Sequence, residues 1–219
     1  MLPTRERYDR ASVESKEVLF SGQISITSQT GVGKSATVEV LKKKLPSYNF
    51  ISVGSLMRKR QKDMGFATIE DFAEHSNLHP EEGHDEWCDA QIYSIAAHRN
   101  YIIGEGRLVH VFMPYAFHVL LTCELYIRSS RRWKDQRKRN PKVKFEKILQ
   151  DIVMRDVNDA ERYEGLYPGC MWLPENFDIV ISTEFNNPHQ VADMIMNAHD
   201  KWLTKAMNQP EVVYMHVLK

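Results

Sequence analysis

No apolar run in this chain of 219 residues approaches the length needed to cross a membrane. Its first residues mix charges of both signs where a secretion signal would be apolar. Cysteine is scarce. Cys88, Cys123 and Cys170 stand far apart in no metal-binding spacing, and their odd number argues for reduced thiols. The expected setting is therefore cytoplasmic (host cytoplasm if the gene is a phage's), without a membrane partner. Ten glycines and nine prolines are too few for a low-complexity chain, and no internal repeat is present. Net charge is also lacking, with 29 basic and 29 acidic residues. An Asn-Lys-x-Asp tetrapeptide, the guanine-reading motif of GTPases, is absent.

What is present is a phosphate-binding loop. Ser28-Gln29-Thr30-Gly31-Val32-Gly33-Lys34-Ser35 sits between the apolar run 23–27 and a helical run. It matches G-x-x-x-x-G-K-S/T except that Ser28 replaces the first glycine. Successive backbone N–H groups of such a loop surround phosphate oxygens, and the helix it opens adds a positive dipole end. Gln29, Thr30, Gly31, Val32, Gly33, Lys34, Ser35 and Ala36 are the expected nucleotide contacts. Lys34 is expected to reach the β- and γ-phosphates of ATP, and the Ser35 hydroxyl to help hold Mg²⁺.

The remaining pattern alternates strands with helices, which predicts an α/β fold with a parallel sheet flanked by helices. Apolar runs at 23–27, 49–53, 101–104, 117–122 and 177–182 read as strands. A helix after the loop runs to about Leu45, Thr68 and Asp71 form a capping box, and Pro80 to about Ala97 is helical. Glu124–Arg139 and Lys144–Tyr163 form two helices broken at Asn140-Pro141, and Pro188 to about Lys205 closes the fold. Residues 1–16 read as an N-terminal extension, 17–205 as the domain that holds the phosphate loop and 206–219 as a C-terminal tail. Charge is uneven. Residues 128–147 hold ten Lys/Arg against two acids, leaving 19 basic and 27 acidic residues elsewhere, so a +8 segment faces a −8 body. Beside a phosphate loop, such a segment is expected to close over polyphosphate.

Several further side chains fit phosphate chemistry. Glu105 and Arg107 stand just beyond a strand, where a carboxylate can hold Mg²⁺ and an arginine can grip phosphate. Asp85 and Asp89 share a helix face. Arg155, Asp159 and Arg162 share another, which alone would read as a salt-bridge ladder. Arg128, Arg131 and Arg132 outnumber the acids near them and are expected to await substrate rather than to form a ladder. His75, His79 and His84 fit no usual metal spacing and read as surface histidines.

These motifs resemble the cytidylate kinases of the nucleoside monophosphate kinase family, in the form with a short acceptor-binding region. The similarity runs from about Gln23 to Ile195. Gly54-Ser55-Leu56-Met57-Arg58 resembles the segment whose arginine binds the acceptor phosphate, and Glu105-Gly106-Arg107-Leu108 the segment whose arginine also contacts the acceptor. Asp85 and Asp89 match the paired aspartates near the base, and Arg128-Ser-Ser-Arg131-Arg132 is similar to the lid's R-x-x-R-R. Arg155, Asp159, Arg162 and Tyr163 match R-x-x-x-D-x-x-R-Y, with phosphate-binding arginines and a sugar-binding aspartate. Gln91, where the archaeal pattern often has arginine, and the longer, more basic lid depart from the family. The resemblance implies a P-loop kinase fold with a five-stranded sheet, an acceptor region at about 55–97 and a mobile lid at about 124–163. It also implies transfer of the ATP γ-phosphoryl to a CMP- or dCMP-like acceptor. Two rival expectations remain: a phage-type kinase of 5-hydroxymethyluracil in DNA, and a nucleotide-binding protein without transfer activity.

Overall fold

The computed structural model describes residues 22–168 and 172–208. Five strands form one wholly parallel sheet: β1 (Ile24–Ser28), β2 (Asn49–Ser52), β3 (Ile102–Gly106), β4 (Phe117–Thr122) and β5 (Ile179–Ser182). Their order is β2-β3-β1-β4-β5, so β1 lies at the centre with every residue buried. A strand covered on both faces must be apolar or internally hydrogen-bonded throughout. Accordingly, Ser25 and Thr27 meet the rings of His118 and His110 at 2.7 and 3.2 Å.

The helices are α1 (Lys34–Lys44), α2 (Val53–Asp63), α3 (Ile69–Leu78), α4 (His84–His98), α5 (Val109–Phe112), α6 (Leu125–Arg137), α7 (Phe145–Leu166) and α8 (Pro188–Asn208). One sheet face packs against α1 and α8 through Val38, Leu41, Val191 and Ile195. The other meets α4, α5 and Tyr163 of α7 through Ile92, Val109, Phe112 and Met113. Each fully buried aliphatic side chain contributes roughly 1.5–3 kcal/mol.

The boundaries shift where tertiary pairing overrides local pattern. Glu105 and Gly106 are not beyond β3 but inside it, because Ser52 on one side and Ile26 on the other pair with Glu105 and extend the ladder. The single helix expected from Pro80 divides into a 3₁₀ turn, Pro80–Glu82, and α4, because Gly83 takes φ +61° between them. Thr68 caps α3 as expected, its hydroxyl accepting from Asp71 N at 3.0 Å. The four-residue α5 was not legible as a helix; it packs so close to the sheet that a Cβ on Gly104 would collide with Met113 and Val109. The extension at 1–16 and Cys170 lie outside the described residues, as does the tail beyond α8. Cys88 and Cys123 are free, buried thiols. Among the described residues, no helix is long and apolar enough to cross a membrane.

Candidate active site

The loop from Ser28 to Gly33 leaves the carboxyl end of β1 and enters α1, where the central position of the strand makes a crevice available. Gly31 and Gly33 take φ +79° and +105°, a region L-residues avoid. No side chain caps α1 and no acid lies in its first turn, so its leading N–H groups stay open to an anion.

Three of the arginines expected to bind phosphate hold the loop itself. Arg107 donates from Nη1 to Ser28 O at 2.9 Å and from Nη2 to Thr30 Oγ1. Arg128 donates to Thr30 O at 3.1 Å, and Arg131 to Val32 O at 3.4 Å. Thr183 Oγ1 also donates to Val32 O at 2.7 Å. A trans peptide is planar, with the N–H of the next residue opposed to the C=O. Tying the carbonyls of Ser28, Thr30 and Val32 to arginines therefore turns the N–H groups of Gln29, Gly31 and Gly33 to the opposite side.

Each of these arginines is anchored in turn. Arg128, only 5% exposed, pairs with Asp156 of α7 at 2.5 Å. Its acidic partner thus comes from the next helix and not from Glu124, one turn earlier on its own, which caps α6 instead. Arg131 donates to Thr183 Oγ1 at 3.0 Å and to the carbonyls of Thr183 and Glu184 at 2.6 and 3.2 Å. Arg107 Nε lies 3.0 Å from Asp159 Oδ2, and its own carbonyl accepts from the Trp172 indole at 2.7 Å.

From Asp159 the network continues to α4. Arg162 Nη2 donates to Asp159 Oδ1 at 3.2 Å, and Arg162 Nε lies 3.3 Å from Asp85 Oδ2. Tyr167 donates to Asp89 Oδ2 at 2.7 Å. Arg155, Asp159 and Arg162 thus form no simple ladder along α7, because Asp159 faces Arg107 across the site. Burial raises the Asp89 carboxyl to about 7 against the opposing Tyr167 hydrogen bond, with Asp85 and Glu86 adding repulsion. Burial also raises Asp85, against the pull of Arg162. Cys88, on the same helix, is pushed up to about 12 by burial, which keeps its thiol neutral.

Lys34 Nζ donates to Glu105 Oε2 at 2.6 Å. Burial would raise the Glu105 carboxyl, but the Lys34 ammonium and hydrogen bonds from Lys34 and Ser52 hold it below the usual range. Ser35 and Ala36 are exposed on the first turn of α1. Arg58 is exposed on α2, donates to Ser55 Oγ at 3.0 Å, and is not joined to the network. Arg132 and Arg155 form no ion pair or hydrogen bond among the described residues, although Arg155 lies near enough to Arg107 to repel it. Asp156, Tyr167, Trp172 and Thr183 were not anticipated. Only Asp156 carried a signal, one helical turn before Asp159.

A phosphate loop on the central strand of a parallel sheet, joined by arginine–carboxylate pairs to a second charged region, defines a P-loop kinase. A model of the family described as cytidylate kinase matches residues 87–200. The chain belongs to that family and is an ATP-dependent nucleotide kinase. A cytidylate kinase from Thermoplasma volcanium is 29% identical over 195 residues, covering 87% of this chain and 98% of that protein. An S-adenosylmethionine-dependent nucleotide dehydratase from Lacinutrix mariniflava is 26% identical, over 82% of this chain but only 36% of its own length. In three dimensions, a gluconokinase from Sinorhizobium meliloti matches with a TM-score of 0.52 and 14% identity, over 87% of this chain and 98% of that one.

Proposed function

We propose that the chain moves the γ-phosphoryl of ATP onto the phosphate of a pyrimidine nucleotide of the CMP or dCMP kind, in the cytoplasm. The continuous path Asp85–Arg162–Asp159–Arg107–Thr30 carries this reading, because it fixes an acceptor region against a donor loop. In-line phosphoryl transfer needs such positioning and charge neutralisation more than covalent chemistry. The loop N–H groups from Gln29 to Ala36 hold the donor phosphates, and Lys34 exchanges Glu105 for the migrating phosphoryl. Arg128 and Arg131 stabilise charge on it indirectly, through the loop they brace, whereas Arg132 brings an uncommitted cation. Arg58 and Arg155 clamp the acceptor phosphate, Arg107 and Arg162 orient it, and Asp89 and Asp159 read base and sugar. Exposed Ser35 and ionised Glu105 are hard oxygen donors that suit Mg²⁺. When bound there, the ion supplies charge neutralisation on the polyphosphate.

A second reading keeps the donor side and changes the acceptor to a hydroxymethyl group of a modified pyrimidine in DNA. Asp89 favours it, since a hydroxyl acceptor needs a base and this carboxyl titrates near neutrality. A screen of ATP-dependent ADP release with CMP, dCMP, UMP and hydroxymethylated DNA separates the two. The first reading expects turnover with CMP or dCMP at least about 100-fold above DNA, and loss of that turnover in Lys34→Ala, as for removal of a transition-state donor. Turnover with DNA alone overturns it.

A further inference from the structure

At the outer end of the acceptor region three side chains converge that the phosphate network does not use. His75 lies on the last turn of α3, Glu82 on the 3₁₀ turn that follows, and His84 opens α4. His84 is not a surface residue. Its side chain is 2% exposed and its ring packs 4.9 Å from that of Phe72. His75 Nε2 hydrogen-bonds Glu82 Oε2 at 3.0 Å, His84 Nε2 lies 2.9 Å from the same oxygen, and one ligand atom from each residue falls within 4.8 Å of the others. Despite its 2.9 Å approach, His84 Nε2 makes no well-aligned hydrogen bond among the described residues, the carboxylate lying off the ring N–H direction.

That off-axis approach leaves the buried His84 nitrogen free to face a point it can share with Glu82 and His75. In a tetrahedral site with bonds of about 2.0–2.1 Å, ligand atoms stand roughly 3.3 Å apart, so the two short contacts need open by only a few tenths of an ångström. Two neutral imidazoles and one carboxylate suit zinc, and three protein ligands leave the fourth position to water. We propose that His75, Glu82 and His84 bind one Zn²⁺ ion that clips α3 and the 3₁₀ turn to the first residue of α4. Asp85 is the next residue, so the clip fixes the helix that carries Asp85 and Asp89 toward Arg162 and Tyr167. Spacing concealed the site: His75-x₆-Glu82-x-His84 fits no usual pattern, and Gly83 with its positive φ brings the donors together.

The test uses the untagged full-length chain, stripped with EDTA and desalted. Zinc content is measured after equilibration with micromolar Zn²⁺, and Co²⁺ serves as a visible-absorption probe displaced by Zn²⁺. The expected result is one zinc per chain, a tetrahedral cobalt spectrum, and a zinc-dependent rise in melting temperature. His75→Ala and Glu82→Gln, which alter less buried residues than His84, should each weaken zinc at least tenfold and lose the rise. Lys34→Ala should bind zinc like the wild type, which separates this proposal from the catalytic reading. No stoichiometric zinc, or unchanged affinity in both ligand variants, overturns it.

Discussion

Asp89 shows how a single residue departs from what its type suggests. As one of several acids near the start of a helix it resembles a solvated carboxylate, but it is 8% exposed and raised to about 7 by burial. The folded chain therefore keeps a proton that the unfolded chain releases near the ordinary aspartate value of 3.8. Between those values the native state binds more protons, so this group's contribution falls as pH rises and levels off above about 7. Urea denaturation should show a loss of about 2–3 kcal/mol from this group between pH 5 and pH 8. Asp89→Asn keeps an acceptor for Tyr167 and should flatten the profile by that amount; identical slopes in both proteins would contradict the assignment. Residue identity pointed to Asp89, but burial, which sets its chemistry, comes from distant helices. The same holds for His84, whose neighbours in sequence are polar and whose neighbour in space is Phe72.

At the scale of elements, the α6–α7 pair divides its basic stretch in two. At the base, Arg128 and Arg131 are committed to Asp156, Thr183 and the phosphate loop. Toward the tip, Lys134, Arg137, Lys138, Arg139 and Lys142 are exposed, and Trp133 donates to Val143 O at 3.0 Å to close the turn. The helices were legible from periodicity and from Asn140-Pro141, but the partner of Arg128 was not. Helical spacing reports pairs on one helix, and Asp156 lies on the next. Because that pair is buried, Arg128→Met strands the Asp156 carboxylate and should cost about 3–5 kcal/mol in urea denaturation. Arg128→Met with Asp156→Leu should recover much of it, with a coupling of about 1–3 kcal/mol. Strict additivity would show that the pair does not brace the loop.

For the whole molecule, the parallel sheet and its loop were readable because buried strands are short apolar runs and the loop has fixed glycine spacing. Less readable was how the phosphate loop is joined to α4 and α7. Arg107, the Asp159–Arg162 pair and Asp85 come from three separate stretches that meet only because the end of β3, α7 and α4 converge on one face. That convergence supports the proposed transfer over a switch that hydrolyses or merely holds nucleotide. The fate of the γ-phosphoryl tests this most directly. With γ-³²P-ATP and CMP or dCMP in a single turnover, the label should appear in the nucleoside diphosphate, with little in inorganic phosphate. Label released only as inorganic phosphate, or retained in ATP, would contradict the account.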